Sequence, residues 1–152
     1  MATFEDISTL LQRGKAKDIG ASVQEMLDAG TPAKDILEQG LIAGMNVVGE
    51  KFKNNQVFVP EVLIAARAMN AALAILKPAL ALAGVEPLGT CVICTVKGDL
   101  HDIGKNLVKM MIEGTGIQVI DLGVDCGPDK VVEAVKVNNA DIVCLSSLGI
   151  KR

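Results

Sequence analysis

The chain is predicted to fold as an N-terminal bundle of four α-helices followed by an α/β domain on a parallel sheet, of which three strands are present. Three observations carry this. Across the first half, apolar residues recur at steps of three and four. Across the second half, short β-branched runs alternate with helical stretches. Between them, Gly84-Val85-Glu86-Pro87-Leu88-Gly89 reads as a linker. Domains of 1–86 and 87–152 follow. Half of the 152 residues are hydrophobic, enough for a real core.

Each helix carries its own start and stop signals. Thr3 is placed to cap a segment in which Phe4, Ile7, Leu10 and Leu11 share a face, with Asp6 at the capping-box position and Gly14 as terminator. The second helix sets Ile19, Val23, Met26 and Leu27 on one stripe and stops at Gly30. Thr31-Pro32 supplies an N-cap and a proline at the first helical position of the third helix. Its stripe is Leu37, Leu41, Met45, Val48 and Phe52, closed by Asn54-Asn55. Pro60 opens the fourth, whose stripe of Val62, Ala66, Met69, Leu73 and Leu76 runs among alanines until Gly84. So many alanines would let a neighbour or a flat ligand approach closely.

In the second half, strands are expected at 91–96, 117–121 and Ile142–Ser146, and helices at Ile103–Glu113 and 129–138. Strand–helix alternation implies parallel pairing with right-handed crossovers. Ligands of such sheets bind at the carboxyl ends of the strands, where the loop 97–102 falls. The third strand is almost entirely apolar, the pattern of a strand buried on both faces.

Composition narrows the function. A net charge of −3 opposes binding to phosphate backbones, and with no Trp or Tyr and only Phe4, Phe52 and Phe58 there is no stacking platform for single-stranded nucleic acid. Glu5 and Asp6 near the start oppose a signal peptide. The longest apolar stretch, around 71–85, is interrupted by Lys77 and Pro78 and falls short of the ~20 residues that span a bilayer. A soluble cytoplasmic protein without membrane or nucleic-acid partners is expected. Cys91 and Cys94 lie three apart in a strand and point to opposite faces, so they are expected, with Cys126 and Cys144, to be small buried thiols.

His101 is the single histidine, with Asp99 two residues before it and Asp102 directly after, bracketed by Gly98 and Gly104. A carboxylate can hold the proton of one ring nitrogen while the other nitrogen faces a metal. Glycines there let the backbone come close to a bulky flat group.

At these residues the chain resembles a known family. Asp99-x-His101-x-x-Gly104, 41 intervening residues, then Ser146-x-Leu148 is similar to the signature of the B12-binding domain of methionine synthase, B12-dependent mutases and corrinoid methyl carriers. Gly44-Met45-x-x-Val48-Gly49-x-x-Phe52 and the run from Phe58-Val59-Pro60-Glu61 to Met69 resemble the helical cap of the methyl-transfer members. The resemblance implies a Rossmann-like (flavodoxin-like) sheet domain and a methyl carrier of methanol, methylamine or methoxyaromatic systems. It implies cobalamin as cofactor, with His101 as the lower cobalt ligand and Asp99 hydrogen-bonded to its other nitrogen. Gly98, Leu100, Asp102, Ile103, Gly104, Ser146, Leu148 and Ile150 would line the cofactor and its tail, while Phe58 and Met69 would shield its upper face. The implied partners are a substrate-specific methyltransferase, a second methyltransferase with a tetrahydrofolate or thiol acceptor, and a reductive activator.

The family domain continues for two further strand–helix units, so the chain is read as C-terminally truncated relative to it, with weaker cofactor affinity than full-length relatives. The last strand's outer edge would then be open to self-association. Where the family carries a hydroxyl residue that completes a proton relay, this chain has Gly149-Ile150-Lys151-Arg152. Two alternatives stay open: a B12-dependent regulator or light sensor, and a hydrolase in which Asp99, His101 and Asp102 bind a metal.

Overall fold

Thr3 and Asp6 begin the chain's first helix by capping each other's backbone: the Asp6 N–H donates to Thr3 Oγ1 at 3.2 Å and the Thr3 N–H to Asp6 Oδ2 at 2.9 Å. The structure, a computed structural model, describes residues 1–149 and falls into two units, Met1–Glu86 and Pro87 onward.

In the first unit, α1 (Phe4–Gln12) and α2 (Ala16–Asp28) are followed by a continuous helical run and by α5 (Val59–Leu82). The run consists of α3 (Ala33–Asp35), a π-helical stretch π1 (Ile36–Ile42) and α4 (Ala43–Lys53). Four helical rods therefore form, as expected from the terminators. Ile7, Leu11, Ile19, Val23, Leu41, Met45, Val48, Val62, Ala66 and Leu76 are buried.

Three details depart from expectation. Pro32, not Thr31, occupies the N-cap of α3, and no side chain caps it. The π-helical stretch shifts the phase of the apolar stripe, so Ile36 is buried, Leu37 is only partly covered and Phe52 is exposed. Helix α5 runs through Pro78 to 24 residues, so one helix is long and apolar enough to cross a membrane by length and composition. Its buried face, from Val62 to Leu80, packs chiefly against α2. Close approach to α1 depends on missing side chains: a Cβ on Gly44 would lie 3.0 Å from Ser8 Cα and 3.1 Å from Ser8 O.

The second unit is a three-stranded parallel sheet in the order β2-β1-β3, with α6 (Ile103–Glu113) and α7 (Pro128–Asn138) in its crossovers. Strand β1 (Thr90–Thr95) is central; Cys91 is level with Val119 of β2 (Gln118–Asp121) and with Ile142 of β3 (Ile142–Ser146). All of β1 from Cys91 to Thr95 is buried. Strand β3 is the correction. It has the sequence of a doubly buried strand, yet Ile142, Val143 and Leu145 are exposed, Leu145 by 61%, and among the described residues β3 pairs only with β1. Helix α7 likewise buries no residue.

Candidate cofactor site

The His101 loop begins where β1 ends. Thr95, fully buried, turns its hydroxyl outward and donates to the His101 carbonyl at 2.7 Å, tying the loop back to the strand it left. Val96 then bridges to Cys126, and Gly98 takes a left-handed φ of 83° that turns the chain. Asp102 and Ile103 enter α6; Asp102 is its N-cap residue without a side-chain cap bond.

Asp99 organises the loop. Its Oδ1 accepts from the His101 N–H at 2.9 Å and lies 2.7 Å from His101 Nδ1, and its Oδ2 accepts from the Leu148 N–H at 2.7 Å. The backbone bond from His101, then that from Leu148, then the ring bond hold the Asp99 carboxyl down at about 2. An ionised carboxylate only accepts, so Nδ1 is the protonated ring nitrogen and Nε2 of the neutral ring carries the lone pair.

The surroundings fit a broad, flat, largely apolar group with a metal at its centre. The His101 side chain is 62% exposed. Leu100, Ile103 and Leu148 are exposed, Ile103 by 84%. Nothing stands within 4 Å of where a Cβ would sit on Gly98, Gly104 or Gly149, so the backbone is open to close approach. Among the described residues no group of three or more His, Cys, Asp or Glu side chains could hold a metal ion. Asp99 is occupied by hydrogen bonds, which leaves His101 as the metal-ligating candidate of the loop.

The sequence-predicted residues divide clearly. Gly98, Asp99, Leu100, His101 and Asp102 form one loop, Ile103 and Gly104 open the helix α6 that follows it, and Leu148 joins the loop through its backbone N–H. Ser146 ends β3 level with Thr95, its carbonyl accepting from the Val96 N–H at 3.0 Å. Ile150 lies outside the described residues. In the helical unit, Phe58 is exposed at the N-cap of α5, where Glu61 accepts its N–H at 3.1 Å. Met69 is fully buried on α5.

Four residues were not singled out from the sequence. Besides Thr95, Lys105 is only 3% exposed and its ammonium meets Asp121 Oδ1 at 2.9 Å and Oδ2 at 2.8 Å. Asp121 also accepts the Gly123 N–H at 2.9 Å. Burial opposes its ionisation, but Lys105, Gly123 and Lys109 outweigh that and keep its carboxyl below the ordinary range. Asp125 accepts from the Gly98 N–H at 2.7 Å. The readable signal was an acidic residue ending β2 and a lysine three residues into a helix, where a cation opposes the dipole and needs a partner.

The cysteines are free. Burial first, then the Cys144 thiol 3.7 Å away, push Cys91 up to about 11, and burial also raises Cys94. Such thiols stay protonated, as small buried groups should.

A parallel sheet that presents a carboxylate-oriented, exposed histidine beyond its central strand defines a cofactor-binding α/β protein with an appended helical unit. B12 binding domain families match residues 3–77 and 89–152. Monomethylamine corrinoid protein 2 of Methanosarcina acetivorans is 39% identical over 127 residues, 82% of this chain and 58% of that protein. A corrinoid protein of Desulfitobacterium hafniense is 34% identical over 151 residues, 97% of this chain and 70% of that one. Among solved structures, the methanol:cobalamin methyltransferase complex MtaBC of Methanosarcina barkeri superposes with a TM-score of 0.88 at 29% identity, over 96% of this chain and 56% of that one. A cobalamin-binding protein of Desulfitobacterium hafniense gives 0.74 at 30% identity, over 98% and 70%. The chain belongs to the corrinoid-protein family of B12-binding proteins, and spans 58% to 70% of the length of these two curated relatives.

Proposed function

We propose that this chain is a corrinoid-binding methyl carrier that passes a methyl group between partner methyltransferases. One observation carries the reading: in a chain with B12 binding domain matches, Asp99 holds His101 by Nδ1 and leaves Nε2 exposed. The bound corrinoid would supply a cobalt centre able to accept and surrender a methyl group. His101 would hold that metal through Nε2. Asp99 fixes the ring and keeps the proton on Nδ1, so the strength of the ligand is set by a proton retained within the pair. Gly98, Gly104 and Gly149 admit the flat face, and Leu100, Ile103 and Leu148 give it apolar support.

Residues 1–86 act in this reading as the cap and 87–152 as the cofactor domain. Phe58, exposed at the N-cap of α5, would be the residue that shields the methyl group from water. The partners are a substrate-specific methyltransferase, a second one with a tetrahydrofolate or thiol acceptor, and a reductive activator. The methylamine and methanol systems of the relatives support donors of that class. Four free thiols fit a reducing cytoplasm, and the exposed edge of β3 suits self-association.

The test is transfer. The chain is loaded with cobalamin, reduced, and offered methanol, a methylamine or a methoxyaromatic with the matching methyltransferase. Methylation of the bound cofactor by one donor, followed by its loss to a thiol or folate acceptor, supports the carrier. A methyl group that loads but cannot be passed on identifies a sensor and overturns it.

A further inference from the structure

We propose that Asp125 is a positioning residue for His101, locking the corner of chain from which the histidine hangs. The inference rests on the reading of His101 as the metal ligand. Asp125 lies in the connection between β2 and α7, 24 positions from His101, and carries a φ of 53°. Few non-glycine residues accept the left-handed region, and where one persists the surroundings hold it there. Here they do so twice. The Asp125 carboxylate accepts the Gly98 N–H at 2.7 Å, and the Asp125 N–H donates to the Asp99 carbonyl at 3.0 Å.

The consequence is geometric. Gly98, at a φ of 83°, and Asp125 are two left-handed residues facing each other across these bonds. The same connection is anchored to β1: the Thr95 N–H donates to the Gly123 carbonyl at 2.9 Å and the Cys126 N–H to the Thr95 carbonyl at 3.0 Å. Asp125 therefore transfers the rigidity of the sheet to the peptide that precedes and includes Asp99. Asp99 in turn sets the His101 ring through Nδ1. Without the Asp125 carboxylate, the exposed Gly98 N–H still finds water, so folding survives. What is lost is the angle at which Asp99 presents the ring.

Glycine separates backbone from side chain, since Asp125→Gly keeps the left-handed φ and removes only the carboxylate, whereas Asp125→Asn keeps an acceptor oxygen and tolerates the same φ. The full chain is reconstituted with cobalamin and its visible spectrum is compared among wild type, His101→Ala, Asp125→Gly and Asp125→Asn. Amide exchange at Gly98 is followed in the cofactor-free protein. Asp125→Gly should melt like the wild type, exchange Gly98 faster, and shift most of the histidine-dependent band toward the His101→Ala spectrum. Asp125→Asn should restore the band. An Asp125→Gly spectrum identical to wild type overturns the proposal, as does an Asp125→Asn spectrum that stays with Asp125→Gly, or a glycine variant that unfolds. Failure of the parent reading looks different: wild type and His101→Ala then share one spectrum, and the positioning role falls with it.

Discussion

Asp99 accepts a hydrogen bond from the backbone N–H of Leu148, at 2.7 Å, across 49 positions of sequence. Its other oxygen holds His101. One carboxylate thus joins the two halves of the signature, the loop after β1 and the segment after β3, with both of its oxygens accepting hydrogen bonds.

Acid should test that arrangement. The Asp99 carboxyl is held at about 2, below the ~3.9 of an unfolded aspartate. Folding therefore gains stability from its ionisation at any pH above the unfolded value, and loses that gain as pH falls from ~4 through the folded value. A carboxyl-carbon NMR titration should show Asp99 still ionised where ordinary aspartates are protonated, and Asp99→Asn should remove the matching acid sensitivity. A midpoint near the ordinary value contradicts the bonding.

Lys105 and Asp121 make the second test. Lys105 is buried at the start of α6, where the helix dipole disfavours a cation, so Asp121 is its necessary counterion. Lys105→Met should lower unfolding free energy by ~1–3 kcal/mol in urea titrations, because it removes the main partner of a partly buried carboxylate and leaves it only Lys109 and the Gly123 N–H. Adding Asp121→Leu should cost less than the sum of the two single changes. Additive costs rule the coupling out.

Two glycines on α4 should respond with opposite sign. Gly44→Ala forces a methyl against Ser8 backbone and should destabilise by ~1–3 kcal/mol. Gly49 has nothing within 4 Å of a prospective Cβ, so Gly49→Ala should stabilise by ~0.5–1 kcal/mol. Melting temperatures moving in the same direction contradict the packing of α4 on α1.

Cys91, pushed up to about 11 chiefly by burial, should resist alkylation by iodoacetamide in the native protein near pH 8 and react once urea exposes it. Rapid native labelling followed by mass spectrometry contradicts its burial.

Much of the fold was legible because its signals are local. The Thr3–Asp6 capping box, the stops at Gly14, Gly30 and Gly84, and the β-branched run of β1 need only neighbouring residues. The His101 loop was legible from its glycines and its flanking acids. The π-helical stretch was not, because its phase depends on how Ile36 and Gly40 meet neighbouring helices, and 3.6-residue periodicity carries no trace of that. Strand β3 misled because apolar composition records what a strand is suited to, whereas exposure depends on which strands flank it. Asp125 escaped because it acts through a loop brought near by strand pairing, and such a role leaves no mark in side-chain pattern.

The ligand atom itself can be observed directly. The protein, labelled with nitrogen-15 at histidine, is loaded with cob(II)alamin and its electron paramagnetic resonance spectrum is compared with that of unlabelled protein. If His101 Nε2 binds cobalt, the axial superhyperfine pattern changes from the triplet of ordinary nitrogen to a doublet, and His101→Ala abolishes the change. A triplet that survives labelling shows that the cofactor keeps its own base or another nitrogen, and contradicts the assignment of His101 as the lower ligand.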